Sequence, residues 1–176
     1  MPKKFEKEFI SYCENQNLEV NPNQIKVIKK LEDYHNSNYK SFFSKLFSKQ
    51  KTKKGFYLYG GVGVGKTMIL NFFYDHLEEK KLKKHFNEFM LGFHDFVHEQ
   101  KEKNEENVIN QFVKNLKSKA SLVYFDEFQV TNIVDAMILG KLFEQIFKED
   151  IKIILTSNTK ISELYKEGLQ REQFIP

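Results

Sequence analysis

The residues best suited to chemistry follow one short apolar run. GGVGVGKT, residues 60 to 67, places Gly60, four further residues, then Gly65, Lys66 and Thr67. Glycines at this spacing let successive backbone N–H groups turn inward and cradle phosphate oxygens at the start of a helix. Gly60, Gly61, Val62, Gly63, Val64, Gly65, Lys66, Thr67 and Met68 therefore read as a phosphate-binding loop. Lys66 is expected on the β and γ phosphates of a nucleoside triphosphate, and the Thr67 hydroxyl on Mg²⁺. Both flanks agree. Phe56 to Tyr59 has the composition of a buried strand, and Met68, Ile69, Leu70, Phe72, Phe73 and Leu77 give the following segment the apolar positions of a sheet-packed helix. A glycine-rich turn arising by chance would not carry both.

Hydrolysis needs carboxylates near that loop. SLVYFDE, residues 121 to 127, is an apolar run that delivers Asp126 and Glu127 at its carboxyl end, where open α/β sheets bind ligands. Asp126 is expected to hold a magnesium-bound water, and Glu127 to polarise the attacking water. Without the loop, this would read as an ordinary acidic strand end. A third apolar run, Ile151 to Thr156, leads into Ser157 and Asn158, whose amide is placed to sense the γ phosphate or the water; alone, Ser-Asn after a strand is a common turn. No guanine-reading N-K-x-D occurs, which favours ATP.

Arg171 is the only arginine in a chain with 28 basic residues. It follows Gly168, which reads as the cap of a helix over 159 to 167. Guanidinium gives planar, bidentate contact with phosphate that lysine cannot, so Arg171 is a candidate arginine finger. The plainer alternative is a surface ion pair.

Taken in this order, the glycine loop, acidic strand, asparagine-ended strand and late arginine resemble an AAA+ ATPase core. GFYLYGGVGVGKT, HFNEFMLGFHDFVH, VYFDEFQVTNIVDAMILGKLFEQIF and TSNTKISELYKEGLQREQFIP are similar to the ZapE family of bacterial cell-division ATPases, whose mitochondrial relatives are the Afg-one-like ATPases. The resemblance runs from about Val20 to Pro176, more weakly over Asn21 to Leu31. It implies Lys66 and Thr67 as phosphate-loop contacts, Asp126 and Glu127 as magnesium and catalytic carboxylates, Asn158 as sensor and Arg171 as a finger reaching a neighbouring subunit. A homo-oligomer completing the ATP site in trans follows from that. Where the family commonly reads HFHRFM, Asn87 and Glu88 stand here, which leaves those two positions without the family's residues. Family members continue past the phrase ending at Pro176 into a helical lid, so the chain reads as a core without its lid.

Composition sets broader limits. The chain has 176 residues, 40% of them hydrophobic and 15% aromatic, which suits one domain with a core. Cys13 is the single cysteine, consistent with a reducing compartment, and no apolar run is long enough to span a bilayer. A cytoplasmic protein is expected, with the division site or inner membrane as a peripheral location. No Asp or Glu occurs between Tyr34 and Tyr74, and Asn38 to Lys54 mixes Phe42, Phe43, Leu46 and Phe47 with lysines. That stretch reads as a packed helix followed by a solvated lysine run, with a membrane-surface helix as the alternative. His94 and His98 have metal-ligand spacing but lack the glutamate of H-E-x-x-H, so they read as ordinary helix residues.

The expected order is N-terminal helices and basic linker over 1–54, then a P-loop NTPase core over 55–176. Within the core, strands are expected at 56–59, 84–90, 121–126 and 151–156, and helices at 66–82, 131–148 and 159–167, with two more helices between 90 and 121 flanking a loop at Glu99 to Asn107. Alternating strands and helices imply an α/β fold with a parallel sheet covered on both faces. The leading functional expectation is an ATPase remodelling a protein partner, for which the resemblance implies the tubulin-like division protein FtsZ. A helicase-loader-like ATPase on DNA and a nucleotide-binding switch with little turnover are the alternatives; nucleic acid is the less favoured partner.

Overall fold

The computed structural model describes residues 4–38, 53–100 and 104–164. Two helices, α1 (Lys4–Asn15) and α2 (Pro22–Asn38), precede strand β1 (Gly55–Tyr59). Then come α3 (Lys66–Asp75), β2 (Lys81–His85), α4 (Phe86–Glu99), α5 (Glu105–Lys119), β3 (Leu122–Asp126), α6 (Ile133–Lys148), β4 (Lys152–Ser157) and a 3-10 turn at Ile161–Glu163. The four strands pair in parallel in the order β1-β4-β3-β2.

Period-2 alternation assigns each strand residue to a layer. Leu122, Tyr124 and Ile154 face α1, α2 and α3, while Val123, Phe125, Ile153 and Leu155 face α4, α5 and α6. Both central strands are buried throughout, which is why their sequences are unbroken apolar runs. The N-terminal helices complete one layer. Phe9 meets Phe72 edge to face at 5.0 Å, and Phe5 lies 5.2 Å from Phe73. Buried aromatic contacts of this kind supply much of the apolar area that holds a layer on a sheet.

Two sequence expectations are corrected here. The strand expected at 84–90 lies at Lys81–His85, and the apolar phrase after it is helix: Phe86, Phe89, Met90 and Phe93 recur at i, i+3, i+4 and i+7 on one buried face. Accordingly α3 ends at Asp75 rather than 82, because the chain must return in time to form β2. Lys81 Nζ covers that helix end by donating to the carbonyls of Tyr74 and Leu77 at 2.5 and 2.6 Å. As an edge strand rich in lysine, β2 discourages further strand addition.

Smaller differences occur at helix ends. The loop expected over 99–107 is shorter, since α5 starts at Glu105 with the Asn104 side chain accepting from the Asn107 N–H at 2.9 Å. Thr159 and Lys160 precede the 3-10 turn and are not helical. Positions 165–176, including Arg171, and most of the basic stretch 38–54 lie outside the described residues.

Phe9→Ala is expected to lower stability by about 3–5 kcal/mol through cavity formation, read by urea unfolding. A loss under about 1 kcal/mol would mean that α1 does not share the sheet's core.

Candidate functional site

The loop between β1 and α3 takes its shape from two glycines. Gly63 and Gly65 have φ of 81° and 83°, in the left-handed region. Gly65 is constrained twice, because a Cβ there would sit 2.6 Å from Gln24 Nε2. That amide donates to the Val64 carbonyl at 3.3 Å, so α2 braces the loop from outside. Lys66 folds back across it. Its Nζ donates to the carbonyls of Gly60 and Gly61, each at 2.7 Å, and to Asn158 Oδ1 at 2.9 Å.

The acidic side is built by the neighbouring strands. Asp126 ends β3 and is 5% exposed. Thr156 on β4 donates its hydroxyl to Asp126 Oδ1, and the Glu127 N–H donates to that same oxygen and to Thr156 Oγ1, at 3.1 Å each. Glu127 is held at φ 56°, unusual for a residue with a side chain, and its carboxylate is 72% exposed. His85, at the end of β2, places Nδ1 3.9 Å from Glu127 Oε2. Ser157 ties the next turn by donating to the Phe128 carbonyl at 2.8 Å and accepting from the Thr159 N–H at 3.1 Å.

Val62, Gly63, Gly65, Lys66, Thr67, Met68, Asp126, Glu127 and Asn158 line one cavity of about 360 Å³. These sequence candidates thus converge on a single place. Gly60, Gly61 and Val64 are not in its wall; their carbonyls serve Lys66 and Gln24 instead. Two residues of the wall, Thr156 and Ser157, were not singled out as site residues from the sequence. The signal for Thr156 was a hydroxyl closing an otherwise apolar strand, and its value appears only when β3 lies alongside. The contact of Gln24 is with the loop itself.

The Thr67 hydroxyl, the Asp126 carboxylate and the Lys66 ammonium line one cavity, a donor set that suits magnesium and a polyphosphate. His94 has another use: its Nε2 lies 2.7 Å from Asp135 Oδ1, and Asp135 with Asn132 caps α6. Among the described residues, no group of three His, Cys, Asp or Glu is placed to hold a metal ion.

Comparison with known proteins places this geometry in a family. The AFG1-like ATPase family model matches residues 11–176. Lactation elevated protein 1 homolog B of Danio rerio is 40% identical over 154 residues, covering 82% of this chain and 31% of that protein. Cell division protein ZapE of Escherichia coli K12 is 38% identical over 130 residues, covering 73% of this chain and 34% of that one. The chain thus spans about a third of the length of these relatives. Among solved structures, the replication initiator DnaA bound to AMPPCP and single-stranded DNA superposes with a TM-score of 0.58 at 17% identity, over 90% of this chain and 46% of that chain, a likeness of fold. The sequence match over nearly the whole chain and the shared P-loop architecture give one conclusion: the chain belongs to the AFG1-like ATPase family.

Proposed function

We propose that this chain is the core of a magnesium-dependent ATPase that couples ATP hydrolysis to remodelling a protein partner. The supporting observation is the single cavity that gathers Lys66, Thr67, Asp126, Glu127 and Asn158 at the carboxyl ends of β1, β3 and β4. In this reading the loop amides and Lys66 bind the phosphates, and the Lys66 ammonium exchanges its Gly60 and Gly61 carbonyls for phosphate oxygens. The Thr67 hydroxyl and the Asp126 carboxylate would hold Mg²⁺, which when bound would supply charge neutralisation on the phosphates. Glu127 orients the attacking water and takes its proton as the water oxygen bonds to the γ phosphorus and the bond from that phosphorus to the β,γ-bridging oxygen breaks, its electron pair leaving with ADP. Asn158, already joined to Lys66, steadies the γ-phosphate end.

Arg171 is the proposed finger, supplied to the site of an adjoining copy in a homo-oligomer. The family tie to ZapE supports a role at cell division, with an FtsZ-like protein as client. A cytoplasmic protein acting peripherally at the division site or inner membrane fits; no helix among the described residues is long and apolar enough to cross a membrane. The DNA-directed reading rests on fold likeness alone and is not preferred.

Lys66→Ala is expected to weaken ATP binding by about ten- to a hundredfold, equivalent to roughly 1.5–3 kcal/mol, measured by calorimetry. Unchanged affinity would remove the phosphate-loop assignment. Glu127→Gln is expected to retain binding while turnover drops by about 10²–10⁴-fold in a phosphate-release assay. For the finger, ATPase rate per chain should climb with protein concentration, and Arg171→Ala should abolish that climb; a concentration-independent rate would contradict action in trans.

A further inference from the structure

Gln24 touches the glycine loop without entering the cavity. It lies in the first turn of α2, and Ile28 and Leu31, at i+4 and i+7, are buried in the same core cluster as Ile69 and Leu70 of α3. One face of α2 therefore rests on α3 and, a turn earlier, reaches the loop that precedes it. The contact is close. Gln24 Nε2 donates to the Val64 carbonyl at 3.3 Å, and it lies only 2.6 Å from where a Cβ on residue 65 would be. A side chain at 65 and the amide of Gln24 exclude each other.

The carbonyl that Gln24 holds belongs to the Val64–Gly65 peptide. A trans peptide is planar, with its C=O and N–H pointing in opposite directions, so a bond that draws the carbonyl toward α2 turns the Gly65 N–H the other way. Gly65 lines the cavity, whereas Val64 and Gln24 do not. The outward bond thus presents an amide donor on the phosphate side. Lys66 holds the loop through Gly60 and Gly61, and in the proposed reaction it gives up those carbonyls to phosphate oxygens. The Gln24 bond is not consumed in that exchange.

Resting on the ATPase reading given above, we propose that Gln24 is a positioning residue: its amide fixes the Val64–Gly65 peptide so that the Gly65 N–H faces the bound phosphates. Phosphate affinity is thereby tied to the seating of α2 on α3, because the peptide is oriented before the anion arrives. The other end of the amide, Oε1, accepts no hydrogen bond among the described residues. Gln24→Met, which keeps the length of the side chain and removes the amide, therefore deletes one bond.

The test compares binding of ATP and of inorganic tripolyphosphate, which has no base, by calorimetry for the wild-type chain, Gln24→Met, Ile28→Val and Lys66→Ala. Gln24→Met is expected to weaken both ligands by the same factor, about three- to tenfold, the range for one lost hydrogen bond. With selective ¹⁵N labelling of the eight glycines, the Gly65 amide signal should shift on tripolyphosphate binding in wild type and shift less in Gln24→Met. Weakened ATP with unchanged tripolyphosphate would make Gln24 a reader of the base and overturn the proposal, as would no loss for either ligand. Ile28→Val trims the α2 core without touching the loop; if it lowers both affinities as much as Gln24→Met does, the effect is packing and the positioning role is overturned. Should Lys66→Ala bind both ligands like wild type, the nucleotide site itself is wrong. If Lys66→Ala is impaired and Gln24→Met is not, the Gln24 assignment alone fails.

Discussion

The Thr156 hydroxyl donates to Asp126 inside the sheet while accepting the Glu127 N–H, and the acidic half of the cavity is organised around that pair of bonds. They cross from β4 to β3, so they exist only in one register, with Phe125 opposite Leu155. Sliding either strand by one residue would turn Thr156 to the opposite face and offer Asp126 an apolar neighbour. Register is in turn fixed by burial on both faces, Leu122, Tyr124 and Ile154 against one helical layer and Val123, Phe125, Ile153 and Leu155 against the other. Core packing and site geometry are thus the same constraint.

The basic half is self-supporting in a different way. Lys66 distributes its three N–H donors over Gly60, Gly61 and Asn158, which closes the loop on itself and joins β1's turn to the end of β4. Gln24 closes it from the other side through the Val64 carbonyl. A loop held at both flanks presents its amides without further ordering, so little conformational entropy remains to be lost when an anion is bound. The N-terminal helices therefore brace the glycine loop as well as the core, through one amide side chain.

Much of this was legible in the sequence because its signals are local. The glycine spacing, the apolar runs of β1, β3 and β4 and the acidic pair need only a few adjacent residues each, and all of them fall where expected. The strand β2 was displaced because its sequence, KLKKH, carries one apolar residue, whereas the helix after it begins with a hydrophobic phrase that mimics a strand when read over five positions. The ammonium groups of Lys81 and Lys83 lie over the rings of Tyr74 and Tyr124, at 4.7 and 5.3 Å from the ring centres. The contacts of Thr156 with Asp126 and of Gln24 with the loop escape the sequence for a common reason: they span 30 and 40 residues of chain, which no spacing rule detects.

Asp126 and Glu127 are chain neighbours, and in a regular strand their side chains would point to opposite faces of the sheet. Both nevertheless line the same cavity. The left-handed φ of 56° at Glu127 reconciles these facts, since it ends the extended strand and redirects the second carboxylate toward the first. Such a conformation costs about 1–3 kcal/mol outside glycine and persists where the surroundings hold it. Here the two acceptors of the Glu127 N–H do so. The outcome is a pair of carboxylates with divided surroundings: Asp126 buried and fixed by donors, and Glu127 exposed beside His85. A glycine at 127 would relax the backbone but remove the carboxylate from the cavity wall.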